Sequence, residues 1–336
     1  MIPPNMPAPL LHGGDLDAAR NLFPGAPEPF LDLSTGINPH PYPIPPLAPE
    51  IFSRLPAPAD LRRLAERAAA AYDAPSAACV VVAPGSQVLV RSPPALLLPG
   101  RAVILGPTYA EHARAAAAAE HETTTVGALE PLGDADLAIA VNPNNPDGRI
   151  LSRDELLAIA ERQRSHDGLL IVDEAFMDAG PRGESLSAQV EAATVVVLRS
   201  FGKFFGLAGL RLSFALASPP LAAQLAAALG PWPVSGEALA IGTTALSDQP
   251  WIDATRLSLA AAAERLDTLL GGAGLEIVGG ASLFRLVRSA KAAKLFDRLG
   301  RAGILVRRFP ERPDLLRFGL PGAEQEWQRL EAALQD

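Results

Sequence analysis

The chain has 336 residues, 49% hydrophobic and 20% charged, enough apolar material for one large and one smaller domain and too much for a disordered chain. Its formal net charge is −8 with no dense Lys/Arg run, which argues against nucleic-acid binding, and its lone cysteine, Cys79, excludes an intrachain disulfide. The opening MIPPNMPAPLLHGGD lacks the basic and apolar regions of a signal peptide, and no apolar run reaches the roughly 20 residues of a membrane span, so a cytoplasmic protein with no membrane contact is expected. Residues 1–58 are proline-rich and aperiodic and read as an extended arm. Residues 60–71, DLRRLAERAAAA, have helical spacing with Asp60 as the expected N-cap. CVVVAPG, starting at Cys79, reads as a buried strand ending in a turn. AVILGPT (102–108) is a second strand, followed by an Ala-rich helix over 109–120. ADLAIAVNPNNPDG (135–148) is a strand running into a tight turn. SRDELLAIAERQRS (152–165) is a helix whose Ser152 and Glu155 have the spacing of a capping box. GLLIVDEAF, TVVVLRS and RLSFALA are three more apolar strands.

Strands that are continuously apolar and separated by helices imply a parallel-rich sheet covered on both faces. The pattern changes after about residue 245. A long helix (roughly 252–271) leads to LEIVGG, SLFRLVR, the helix AKAAKLFDRLGRAG, then ILVRRF, LLRFGLP and a last helix. The expected fold is therefore α/β: a large domain over 41–245 with a mostly parallel sheet covered by helices, and a small α+β domain over 246–336 joined by the N-terminal arm, 1–40.

Ligands of open α/β sheets bind outside the carboxyl ends of the strands. Polar residues gather there: Gly85-Ser86-Gln87, then Thr108-Tyr109, then Asn142 to Gly148, then Asp173-Glu174, then Arg199, Ser200 and Lys203, with Arg211 beyond. Each alone has a bland explanation: a turn, a helix cap or a solvated strand end. Lysine is rare here, three residues against 26 arginines, and one of the three sits inside SFGKFFGLAGLR. Arginine does not readily lose its proton, whereas a neutral lysine amine condenses with a carbonyl. An amine for an aldehyde, a carboxylate for a ring nitrogen, an aromatic for a ring face and a Gly-Ser turn with an arginine for a phosphate describe a pyridoxal 5′-phosphate (PLP) site.

In NPNNPDG, DEAF and SFGKFFGLAGLR the chain resembles the fold-type I PLP enzymes, in particular the class I and II aminotransferase family, over nearly its whole length. The resemblance implies residue roles. Lys203 would condense with the cofactor aldehyde and later carry a proton. Asp173 would pair with the ring nitrogen, Asn145 would hydrogen-bond the ring 3′-oxygen, and Tyr109 would stack on the ring. Gly85, Ser86, Gln87, Ser200 and Arg211 would hold the phosphate. Arg317, in LLRFGLP, would take the substrate carboxylate, a task suited to a guanidinium fork. The resemblance implies a homodimer and no metal.

Two branches of the family are close: histidinol-phosphate aminotransferases and threonine-phosphate decarboxylases. The opening HGGD (12–15), FLDLSTGINPHPYP (30–43) and the form of the lysine motif resemble the second. That resemblance implies decarboxylation of a small phosphorylated amino acid, L-threonine O-3-phosphate, to (R)-1-amino-2-propanol O-2-phosphate for cobalamin biosynthesis. Phe176 stands where aminotransferases of this group carry a tyrosine. It withdraws a donor from the ring oxygen and leaves Asn145 as the main partner, or else is only a core aromatic. Leu55 stands near where related enzymes carry a tyrosine that reaches the partner subunit's phosphate. A decarboxylase must hold the far end of its substrate so that the carboxylate bond stands perpendicular to the ring. Candidates are His12, Gly13 and Gly14 of the arm, Gly36 and Asn38 of STGINPH, and Arg307 and Arg308 as second choices.

Overall fold

A computed structural model describes residues 13–335. The described residues divide into two compact units, one formed by residues 37–264 and 279–283, the other by 13–36, 265–278 and 284–335. The arm is not extended throughout. Asp15 accepts from the Ala18 N–H at 2.9 Å and so caps a helix, Leu16–Leu22 (α1), before a short strand, Leu31–Leu33 (β1).

In the larger unit, α2 (Pro58–Ala71) starts earlier than expected. Ala57 is its N-cap and Asp60 lies inside the first turn, because Pro58 brings a ring-fixed φ already suited to the first helical position. Then come β2 (Val80–Ala83), α3 (Ser86–Leu96), β3 (Arg101–Leu105), α4 (Glu111–Ala118), β4 (Glu122–Val126), β5 (Leu137–Val141) and α5 (Arg153–Arg164). They are followed by β6 (Leu169–Asp173), β7 (Val195–Ser200), α6 (Phe201–Phe204), β8 (Ser213–Leu216), α7 (Pro219–Leu229), α8 (Gly236–Ser247) and α9 (Gln249–Gly272), whose residues from 265 on belong to the smaller unit. The Ser152–Glu155 capping box at α5 is complete in both directions.

The seven strands are ordered β2-β8-β7-β6-β5-β3-β4. Strands β3 to β7 run parallel, and β8 is antiparallel to both β2 and β7. The carboxyl ends of β2, β3, β5, β6 and β7 therefore open at one edge, where β8 begins. Every residue of β5, β6 and β7 is buried, as the unbroken apolar runs require. On one face Leu89, Val90, Ala115, Ala116, Ala222 and Leu225 of α3, α4 and α7 pack on Ile104, Ile139, Ile171 and Leu198. Among the described residues no helix is long and apolar enough to cross a membrane.

The smaller unit adds β9 (Glu276–Ala281), of which 279–281 belong to the larger unit, β10 (Phe284–Arg288), α10 (Ala292–Arg301), β11 (Ile304–Arg308), β12 (Leu315–Gly319) and α11 (Glu324–Gln335). Its sheet order is β1-β11-β12-β10-β9, with β1 parallel to β11 and β12 antiparallel to β11 and β10. α10 turns Leu295, Phe296 and Leu299 inward, and Phe23 beyond α1 meets Phe296 with ring centroids 5.6 Å apart.

Candidate active site

The turn after β2 places Gly85 at φ +94°, where a side chain is strained and a Cβ would collide with Arg211 Nη2. Ser86 then opens α3, and its Oγ lies 3.0 Å from Ser200 Oγ and 3.1 Å from Ser213 Oγ. Arg211 is left-handed (φ 54°), which returns its guanidinium toward Gly85. Three hydroxyls, an arginine and the N-terminus of an 11-residue helix thus converge on one point, a cradle for a dianion. Ser213 escaped the sequence reading because it sits inside an apolar strand.

Gln87 was expected to hold phosphate. Its side chain is committed elsewhere: Nε2 donates to Glu111 Oε2 at 2.8 Å, and Oε1 accepts from the Tyr109 hydroxyl at 3.2 Å. Its backbone N–H, in the first turn of α3, is the group placed for an anion. Tyr109 meets His112 edge to face, with centroids 6.0 Å apart. His112 Nε2 is 2.9 Å from Asp173 Oδ2, and the Ala175 N–H donates to Asp173 Oδ1 at 3.0 Å. Asp173 is only 5% exposed, so both its oxygens are held inside the protein. His112 was also missed, although it follows Tyr109 by only three residues, its N–H donating to the Tyr109 carbonyl at 3.1 Å in the turn that leads into α4.

Lys203 lies on α6 just past β7, half-buried, with Nζ 5.8 Å from the centroid of the Phe176 ring. Asn38 is buried, and its amide is committed to backbone: Nδ2 donates to the Phe204 carbonyl and Oδ1 accepts from the His40 N–H, both at 2.9 Å. Its own N–H donates to the Lys203 carbonyl at 2.9 Å, so Asn38 fastens the arm to the lysine turn. Asn145 stands on the 142–148 turn, which is pinned by its neighbours. Asn144 accepts from Thr108 Oγ1 at 2.6 Å and donates to Asp147 Oδ1 at 2.7 Å, while Asn142 bonds the Leu151 backbone in both directions at 3.0 Å. At Gly148 a Cβ would run into the Gly280 carbonyl.

The remaining described candidates lie in the smaller unit. His12 is outside the described residues. The Gly14 N–H donates to Ser34 Oγ at 2.8 Å, a Cβ on Gly13 would collide with the Ser34 carbonyl, and Arg317 Nη2 donates to that same carbonyl at 2.8 Å. Gly36 is buried two residues further on. Ser34 is thus where the glycine pair and the arginine meet. Arg307 and Arg317 face each other across β11 and β12. Burial pulls the Arg317 guanidinium down to about 10, Arg307 adds to the effect and Asp32 opposes it, so Arg317 is charged at neutral pH. Two like charges side by side favour an anionic guest.

A family model described as aminotransferase class I and II matches residues 57–334. The chain belongs to the class I and II aminotransferase family. Two curated relatives extend this likeness to nearly full length. A threonine-phosphate decarboxylase from Sinorhizobium sp. is 43% identical over 336 residues, 98% of each chain. Another, from Pseudomonas aeruginosa, is 43% identical over 328 residues, 97% of each. Among solved structures, a histidinol-phosphate aminotransferase from Sinorhizobium meliloti in complex with pyridoxal-5′-phosphate matches with a TM-score of 0.81 at 21% identity, covering 97% of this chain and 94% of that one. That likeness establishes the fold, fold-type I. The class I and II aminotransferase cofactor, PLP, fits the donor set: a hydroxyl-lined anion cradle, a buried carboxylate, an aromatic face and a lysine amine, all at one sheet edge of the larger unit. Among the described residues no cluster of His, Cys, Asp or Glu could hold a metal ion.

Proposed function

We propose that the chain is a PLP-dependent threonine-phosphate decarboxylase, converting L-threonine O-3-phosphate to (R)-1-amino-2-propanol O-2-phosphate for cobalamin biosynthesis. The observation that carries this is 43% identity along nearly the whole of two relatives bearing that activity in their names. Ser86, Ser200, Ser213, Arg211 and the first N–H groups of α3 would hold the cofactor phosphate. Asp173, held by His112, would accept from the ring nitrogen, with Tyr109 against one face and Asn145 at the ring oxygen. Bound PLP supplies an aldehyde that takes an amine and a ring that accepts the electron pair left at Cα as carbon dioxide departs.

Lys203 Nζ would take up a proton from the incoming substrate amine and would return one to Cα after the carboxylate has gone. The amine then leaves with the product. Arg317 and Arg307 offer two adjacent cations to a substrate with a carboxylate at one end and a phosphate at the other. A phosphate handle holds the molecule by its far end and so decides which bond at Cα faces the ring. We read the enzyme as cytoplasmic and as a homodimer, the second reading supported by large apolar side chains left exposed on the larger unit, Phe52 at 67%, Leu55 at 69% and Trp232 at 53%.

The deciding experiment incubates the PLP-loaded enzyme with L-threonine O-3-phosphate, and separately with histidinol phosphate plus 2-oxoglutarate. Carbon dioxide from the first without glutamate from the second is expected. Glutamate without carbon dioxide would sink the proposal.

A further inference from the structure

Arg199 is the only charged residue of β7 and is 2% exposed. Its Nη1 donates to Glu174 Oε2 at 2.8 Å, its Nη2 donates to Asp178 Oδ1 at 2.5 Å, and its guanidinium lies 4.4 Å from the centroid of the Tyr72 ring. Burial alone would lower the pKa of Arg199, but the Asp178 and Glu174 carboxylates outweigh it and hold the guanidinium charged. Burial likewise pushes the Glu174 carboxyl up, against the pull of Arg199. Glu174 also accepts from Ser185 Oγ at 2.6 Å and from the Leu186 N–H at 2.9 Å, and the Asp178 carbonyl accepts from Arg256 Nε at 2.9 Å. Four chain segments are tied together at one point.

A buried ion cluster is a weak stabiliser, since apolar residues of equal volume often serve as well. What a fork of two charge-assisted hydrogen bonds supplies is fixed geometry. The position of the cluster shows what it fixes. Asp173 pairs in register with Leu198, so Asp173, Leu198 and Ser200 share one face of the sheet, while Glu174 and Arg199 lie directly behind them. Phe176 stands between Glu174 and Asp178, and its ring is the one 5.8 Å from Lys203 Nζ. Lys203 itself is four residues past Arg199.

We propose that Arg199, Glu174 and Asp178 form a positioning clasp that locks the end of β6 to the end of β7 and so sets Asp173 and Phe176 against Lys203. This rests on the PLP reading of that site. The clasp touches none of the reacting atoms and acts through the residues it holds.

Two variants test it. Arg199→Lys keeps the charge and loses the fork; Asp178→Asn keeps the volume and weakens one arm. Ile159→Val, a cavity in the buried face of α5, is the control for simple loss of stability. Each is purified, stripped of PLP and titrated with it. The Kd, the visible circular dichroism of the bound cofactor, the Tm, kcat and KM are then read. The clasp predicts a Kd for PLP about tenfold higher, the loss of one charge-assisted hydrogen bond. It also predicts an altered visible dichroism band, and a fall in kcat with KM nearly unchanged, in both clasp variants and not in Ile159→Val. If Arg199→Lys does not fold, Asp178→Asn decides alone. A lowered Tm with Kd and dichroism as in the unsubstituted enzyme would overturn the clasp, as would equal changes in the control. An unsubstituted enzyme that took up no PLP would overturn the cofactor reading itself.

Discussion

Lys203 differs from the other two lysines in its surroundings. Lys291 and Lys294 are exposed at and on α10, whereas Lys203 is half-buried, flanked in sequence by the buried Phe201, Phe204 and Phe205, on a turn fastened by Asn38. Lys203→Ala is expected to abolish decarboxylation and the visible absorbance of the bound cofactor, while Lys291→Ala should change neither; both are read by spectrophotometry and carbon dioxide release. The difference between these lysines was legible in the sequence because scarcity and flanking turns mark Lys203. Asp173, Ser86 and Arg211 were legible for a related reason: Asp173 ends an apolar strand, Ser86 follows one in the next turn, and Arg211 stands just before another. His112, Ser213 and Glu111 were not. A lone polar residue inside a helix or strand gives no local sign of whether it faces water or a partner distant in the chain. Arg199 lay between these cases, since a charge in an otherwise apolar strand must find its partners inside the protein.

At the level of elements, alternation of buried strands and amphipathic helices was enough to place β2, β3 and β5 to β8. It missed β4, Glu122–Val126, because ETTTV is the sheet edge and has no apolar run to show. It missed α1 because seven residues among prolines carry too short a period. The arm segment at Tyr42 shows how irregular chain is held without such a pattern. The Tyr42 N–H donates to the Phe205 carbonyl at 2.8 Å, its ring meets Trp251 edge to face at 5.0 Å, and its hydroxyl donates to Asp248 Oδ2 at 3.0 Å. Burial first, then the Asp248 carboxylate, pushes the phenol up to about 12. An unfolded tyrosine titrates near 10, so between about pH 10 and 12 the folded chain binds the extra proton and stability falls as pH rises. The contribution is complete below pH 10 and gone above 12. Tyr42→Phe should therefore lower stability by about 1 kcal/mol at pH 8, the worth of one hydrogen bond, and flatten the decline above pH 10. Urea midpoints at pH 8 and pH 11 for both proteins check this; an unchanged slope would refute it.

For the whole molecule, the two units carry different parts of the candidate chemistry. Gly85, Ser86, Tyr109, Asn145, Asp173, Phe176, Ser200, Lys203 and Arg211 all belong to the larger unit, whereas Gly13, Gly14, Gly36, Arg307 and Arg317 belong to the smaller. The sequence announced the first group through strand ends in consecutive order. The second is assembled from the two extremes of the chain, Ser34 meeting Arg317 across 283 residues, and no spacing rule reaches so far. This division predicts how ligands protect the backbone. A ligand that binds only the folded state stabilises the segments that hold it and raises the cost of opening them. PLP added to the apoenzyme should slow amide hydrogen exchange at the start of α3 and through the Ser200–Arg211 segment, leaving β1 and β12 as they were. Inorganic phosphate or L-threonine O-3-phosphate added afterwards should slow exchange around Gly13–Gly36 and in β12. Exchange measured by mass spectrometry resolves these peptides. Substrate protection confined to the larger unit would remove Arg317 and the glycine pair from the substrate's contacts and leave the cofactor assignment standing.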